Sequence, residues 1–168
     1  MTNSSDLFVT QKKLHFREFI FDVDVGKNGL SRDKQEGDLK TPIGTFPLRR
    51  IFYNPERVQP PQTQLETRAI CQDDGWCDDP LAPEYNRLVK RHFPKSHEIL
   101  FREDDLYDVF IEVGYNDDPI MPHKGSAIFI HRKSSSGYTK GCIALNKGDL
   151  LLILPLLTKN SKITIDEE

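Results

Sequence analysis

The chain has 168 residues, the length of one domain with an ordinary core rather than of two. Its 23 Lys and Arg against 26 Asp and Glu leave a net charge of −3, which excludes an overall basic field for nucleic acid or anionic lipid. The longest apolar stretch, residues 150–157, holds eight residues, far short of the roughly 20 that cross a bilayer.

Residues 1–13 read as a flexible N-terminal tail, followed by a single domain over 14–168. The opening MTNSSDLFVTQKKLHF lacks a cationic start with an apolar run behind it, so no secretory signal is expected. A cytoplasmic location follows, or a periplasmic one if a leader precedes Met1. Residues 14–25 (LHFREFIFDVDV) alternate through Phe19, Phe21, Val23 and Val25, the pattern of a half-buried strand. Residues 26–41 are turn-rich and predict loops or a hairpin. Residues 44–52 (GTFPLRRIF) predict another strand, with Pro47 demanding an edge or a bend.

Residues 54–83 carry no clear period. Residues 84–93 (EYNRLVKRHF) place Tyr85, Leu88, Val89 and His92 on one face at helical spacing, between Pro83 and Pro94. Residues 106–115 and 126–131 read as buried strands, rich in β-branched and aromatic side chains. Asn146 is placed to cap a helix that carries Asp149 in its first turn and is ended or kinked by Pro155. A last strand covers 161–165. The expectation is a mainly β domain with two short helices.

The chemistry concentrates in residues 125–145, GSAIFIHRKSSSGYTKGCIAL. A buried strand delivers His131 at its end, a polar loop returns to Lys140 and Gly141, and Cys142 opens an apolar stretch. A loop between neighbouring strands brings its ends together, which sets an imidazole near a thiol. A thiol with a pKa of about 8.5 is mostly protonated at neutral pH and needs a base to become a nucleophile. His131 is that base, Lys140 lowers the thiol pKa if its ammonium points inward, and the amides around Gly141 are natural oxyanion donors. The competing reading is a small buried core cysteine beside a structural histidine.

Strand, His, polar loop and Thr-x-Gly-Cys resemble the signature of the L,D-transpeptidase (YkuD-type) catalytic domain. The likeness extends to SRDKQEGDLKTPIGTFPLRR (31–50), DDGWCDDPLAPEYNRLV (73–89) and GYNDDPIMPHKGSAIFIH (114–131), in order and spacing, and covers about 14–157. It implies a YkuD-like β-sandwich or barrel-like sheet. It implies Cys142 as the acylated nucleophile, His131 as its proton acceptor, and Arg132 as the residue whose carbonyl orients the imidazole. Thr139 and Gly141 match the positions before the nucleophile. Lys140 stands where the common pattern has a second His, and Ala144 where it often has Arg. The short His-to-Cys loop and the Gly-Cys-Ile-Ala-Leu ending suit one branch of the family and leave the substrate clamp open among Arg132, Lys124 and Lys140.

Thr139, Lys140, Trp76, Tyr115 and Asn116 are the candidates for substrate contact. Trp76 fits core packing equally well, and Lys34, Glu36 and Asp38 fit a solvated turn or an approach to the same groove. Cys71 and Cys77 lack the spacing of a zinc set, and Asp73, Asp74, Asp78 and Asp79 read as a solvated acidic loop. No metal or cofactor is expected. His123 is a weaker base candidate; His15, His92 and His97 fit surface or packing roles.

The resemblance implies a thioester acyl-enzyme on peptidoglycan stem peptides or soluble muropeptides. Without an export signal, the expected activity is L,D-carboxypeptidation, which releases terminal D-alanine from murein tetrapeptides during recycling. The alternatives are a periplasmic L,D-transpeptidase forming 3-3 cross-links or protein anchors, and a non-catalytic muropeptide-binding module. Neither nucleic acid nor membrane is an expected partner.

Overall fold

The computed structural model describes residues 4–168. The chain opens on β1 (Leu7–Thr10), β2 (Lys13–Phe16) and β3 (Phe19–Asp22). Leu7 and Val9 are 1% exposed, and β1 pairs in parallel with the last strand and antiparallel with β2. The tail expected over 1–13 is therefore corrected: apolar alternation in LFVT builds a central strand. Only residues 1–3 of that expectation lie outside the described residues. The single strand expected over 14–25 is a hairpin, turned at Arg17 with φ +54°.

Two short strands, β4 (Leu30–Ser31) and β5 (Thr41–Pro42), bracket the loop that follows. The long β6 (Gly44–Tyr53) changes partners at Pro47. Up to Pro47 it pairs with the last strand, and from Leu48 onward with β11 (Val109–Val113), where the register shifts between Ile111 and Val113. Proline lacks the N–H a regular ladder needs, so the bend expected there falls at the handover. β7 (Glu66–Ala69) lies parallel beside β6. β8 (Asp74–Cys77), β9 (Leu88–Lys90) and β10 (His97–Ile99) form a separate small sheet in the order β10-β8-β9.

The helix expected over 84–93 is absent. Asn86 sits at φ +57°, and Leu88–Lys90 is strand. Tertiary hydrogen bonds override the helical spacing: Tyr85 donates to Glu36, and the Asn86 amide is fastened to Trp76 and Ala127. Among the described residues one α-helix remains, α1 (Lys147–Ile153), continued by a 3-10 turn (Leu154–Leu156) at Pro155. Asn146 is its N-cap without a side-chain cap bond. None of the described helices is long and apolar enough to cross a membrane.

β12 (Phe129–Arg132), β13 (Ile143–Leu145) and β14 (Lys162–Ile165) complete the main sheet, ordered β13-β12-β11-β6-β14-β1-β2-β3. Its ends meet at a bridge between Asp24 and Ala144, whose amides and carbonyls exchange bonds at 3.0 and 2.9 Å. The sheet is thereby nearly closed into a barrel. Strand alternation splits the core in two. Ile51, Ile111, Ile130, Ile143 and Leu145 fill the interior, whereas Phe52, Phe110 and Phe129 face outward with Trp76, Leu100, Tyr107 and Cys142 in a second cluster.

Candidate active site

The site lies in that outer cluster. β12 and β13 run parallel, with Ile130 opposite Ile143 and His131 opposite Ala144. Cys142, one residue before β13, therefore falls beside Phe129, and its side chain shares a face with Phe129 and His131. The Phe129 N–H donates to Cys142 Sγ at 3.3 Å, and the thiol donates to Ala127 O at 3.2 Å. Among the described residues no hydrogen bond joins Cys142 to His131; the two are diagonal neighbours on one surface.

His131 is buried, and its Nδ1 lies 2.7 Å from Arg132 O. A carbonyl only accepts, so Nδ1 carries the hydrogen and Nε2 of the neutral ring holds the lone pair. The Tyr107 ring packs edge-on against the imidazole, centroids 5.6 Å apart. Burial pushes the His131 pKa below its ordinary 6.5. Burial, with the Glu98 charge second, pushes the Cys142 thiol up to about 12, against the Phe129 N–H and Lys34, which pull it down. The resting pair is neutral thiol and neutral imidazole.

The turn before the thiol is built from threonines. Thr139 Oγ1 accepts from the Gly141 N–H at 3.0 Å and donates to Cys142 O at 2.7 Å, while Thr41 Oγ1 donates to Gly141 O at 2.8 Å. Gly141 has φ +144°, and a Cβ there would stand 3.0 Å from Lys40 O, so only glycine fits without strain. This corrects two expectations. The Thr139 hydroxyl is engaged by its own turn rather than turned to a ligand, and the Gly141 N–H already has an acceptor.

Lys140 is exposed, so the cation that acts on the thiol is not Lys140 but buried Lys34. A Cβ on Gly141 would lie 3.6 Å from Lys34 Nζ, which is paired with Asp38 at 2.8 Å. Trp76 is buried beneath the site, its ring 5.2 Å from Phe129 and its Nε1 donating to Asn86 at 2.9 Å. Asn86 uses its whole amide: Oδ1 also accepts from the Ala127 N–H at 3.0 Å, and Nδ2 donates to Tyr115 O at 3.1 Å and Asn116 O at 2.8 Å. It thus anchors the carbonyl-bearing residue on which the thiol rests.

Tyr115 and Asn116 hold the following loop. The Tyr115 hydroxyl donates to Lys124 O, and Asn116 bonds Met121 and Gly125 backbone at 2.8 to 3.0 Å. The Arg132 guanidinium is paired with Asp105 at 2.7 Å, and Lys124 with Asp33 at 3.2 Å. Glu36 accepts from Tyr85 at 2.6 Å and Ser126 at 3.0 Å, and burial raises its pKa. Cys71, Asp73 and Asp74 cluster, but Lys90 meets both carboxylates at 3.0 and 2.9 Å, which argues against a cation there. A hollow of about 760 Å³, lined by Arg49, Arg50, Glu66 and Glu112 among others, holds none of these residues.

Sequence reading missed Tyr107, Glu98 and Asn86. Asn86 and Tyr107 lie in stretches read as helix and strand, and nothing local marks Glu98.

The family model of the YkuD L,D-transpeptidase catalytic domain matches residues 3–165. No curated protein matches the chain. Among solved structures, the helical cell shape determining protein Pgp2 from Campylobacter jejuni is 17% identical with a TM-score of 0.50, over 96% of this chain and 47% of that one. Bd1075 from Bdellovibrio bacteriovorus is 14% identical with a TM-score of 0.48, over 97% and 48%. The chain spans about half the length of these structures.

Proposed function

The chain belongs to the L,D-transpeptidase catalytic domain family, and from that premise we propose that it is a cysteine acyltransferase of peptidoglycan stem peptides, acting as an L,D-carboxypeptidase. What carries the reading is the imidazole locked through Nδ1 on Arg132 O, on the same sheet face as the Cys142 thiol.

Cys142 Sγ attacks the carbonyl carbon of the third stem residue while its proton passes to His131 Nε2. With the thiol held up at about 12, the thiolate forms only as the carbon–sulfur bond does. Collapse of the tetrahedral adduct breaks the bond to D-alanine, and His131 returns the proton to the leaving amine. Water, deprotonated by the same nitrogen, then cleaves the thioester to the tripeptide acid. The thiol must exchange its bond to Ala127 O for one to His131. Water is the acceptor that asks for no second peptide groove, so hydrolysis is the form carried forward. The substrate is then a soluble murein tetrapeptide met in cytoplasmic recycling.

The test is incubation with a defined murein tetrapeptide and mass spectrometry of the products. Tripeptide and free D-alanine, lost in Cys142→Ala, are expected. Cross-linked dimers without tripeptide overturn the hydrolytic form, and no thiol-dependent turnover of either kind overturns the acyl-transfer reading.

A further inference from the structure

β10 pairs antiparallel with β8, and Glu98 stands directly opposite Trp76. Partners in register share a face, so Glu98 points with Trp76 into the space between the small sheet and the barrel. Within the small sheet β8 and β10 lie close: a Cβ on Gly75 would stand 2.8 Å from the His97 ring and 3.1 Å from Glu98 O. There the Tyr107 hydroxyl donates to Glu98 Oε1. The same tyrosine packs on Phe129 at 5.8 Å and on His131 at 5.6 Å. One phenol therefore separates the carboxylate from the imidazole, and the Cys142 thiol feels its charge.

The buried carboxylates are met by cations, Asp74 by Lys90 at 2.9 Å, Asp108 by Arg57 at 3.0 Å and Glu112 by Arg50 at 2.8 Å, and half-buried Glu36 is held by the hydroxyls of both Tyr85 and Ser126. Glu98 makes no ion pair among the described residues. Arg102, across the Tyr107 ring, is occupied by both oxygens of Asp104 at 2.7 and 2.6 Å. Lys140 is exposed and likewise unpaired among the described residues, and Asp78 adds a second negative charge nearby. A half-buried carboxylate lacking a counterion is costly to keep ionised, and burial raises the Glu98 pKa.

We propose that Glu98 is a specificity-determining residue that binds a primary ammonium of the acyl donor, beside the carbonyl that Cys142 attacks. This rests on the acyl-transfer reading above. Pairing with the ammonium neutralises the charge that helps hold the proton on Cys142. A donor carrying the cation thus eases its own attack, and one without it meets a reluctant thiol.

The test compares two tetrapeptides, one with lysine at the third position and one with Nε-acetyl-lysine, on the intact protein and on Glu98→Gln. The wild type is expected to favour lysine in kcat/KM by about tenfold or more, and Glu98→Gln to bring the ratio within about twofold of one. Alkylation of Cys142 by iodoacetamide should begin at lower pH in Glu98→Gln, a shift that a packing role for the residue would not produce. Affinity of both peptides for Cys142→Ala, with and without Glu98→Gln, reads the preference without turnover, so failed chemistry and a failed cation site show separately. An undiminished lysine preference in Glu98→Gln, or an equal loss on both peptides with an unmoved alkylation profile, overturns the proposal.

Discussion

The two faces of β12 and β13 are made from the same few residues and behave as different materials. Inside the barrel, Ile130, Ile143 and Leu145 are fully buried among aliphatic neighbours. Outside, Phe129, His131 and Cys142 lie among aromatic rings and hydrogen-bonded polar groups. Alternation along a strand forces the division, because neighbouring residues cannot share a side. The inner face sets the register, and the outer face inherits from it the distance between sulfur and imidazole. Stability and chemistry are thus separable by single substitutions a residue apart.

The largest expected effect lies on the outer face alone. Cys142→Ala or His131→Ala should cut turnover per folded molecule by about 10³-fold or more, checked by product analysis with the folded fraction read by calorimetry. On the inner face, Ile130→Ala should cost about 2–5 kcal/mol in denaturant unfolding, with residual activity following the folded fraction. Asn86→Ala straddles the two. It strips the acceptor from Trp76 Nε1 and the Ala127 N–H, and should cost about 1–3 kcal/mol while lowering kcat more than it raises KM.

Smaller shifts belong to protons. Because the His131 pKa lies below 6.5, the base stays neutral as pH falls, and the acid limb of the pH–rate profile should sit below 6.5. In the unfolded chain the imidazole protonates first, so stability from this group is lost as pH falls from 6.5 toward the folded value. Cys142 has the opposite sign: its folded pKa of about 12 against an ordinary 9.0 lowers stability as pH rises through that window. Smallest of all is Lys140→Ala. An exposed ammonium is well screened, and the iodoacetamide profile of Cys142 should move by less than about 0.3 pH units.

Much of the outer face was legible because strand, loop and strand are local. The strand ending in His131 and the Thr-Lys-Gly-Cys return lie within a dozen residues of each other, so period-two patterning sufficed to pair them. The Arg132 carbonyl that the resemblance singled out lies 2.7 Å from His131 Nδ1. What could not be read were partners supplied from afar. Lys34 looks like one more charged turn residue until the 31–41 loop folds beside Gly141, and Glu98 looks exposed on a three-residue strand until Tyr107 reaches it. The helix expected over 84–93 failed for the same reason: its spacing was helical, but Glu36, Trp76 and Ala127 offered Tyr85 and Asn86 better bonds. The strand in LFVT was a different kind of miss, since Leu7 and Val9 already showed its period.

The bridge between Asp24 and Ala144 makes the setting of Cys142 depend on closure of the sheet. Those two residues are far apart along the chain, and the Thr139–Cys142 turn is clasped on that same side by Thr41 and the 25–27 backbone. Joining them carries the loop-closure cost of distant contacts. Until the ring shuts, the Cys142 thiol lacks the neighbours that bury it and push its pKa above the ordinary 9.0. Completion of the fold and enclosure of the sulfur are one event.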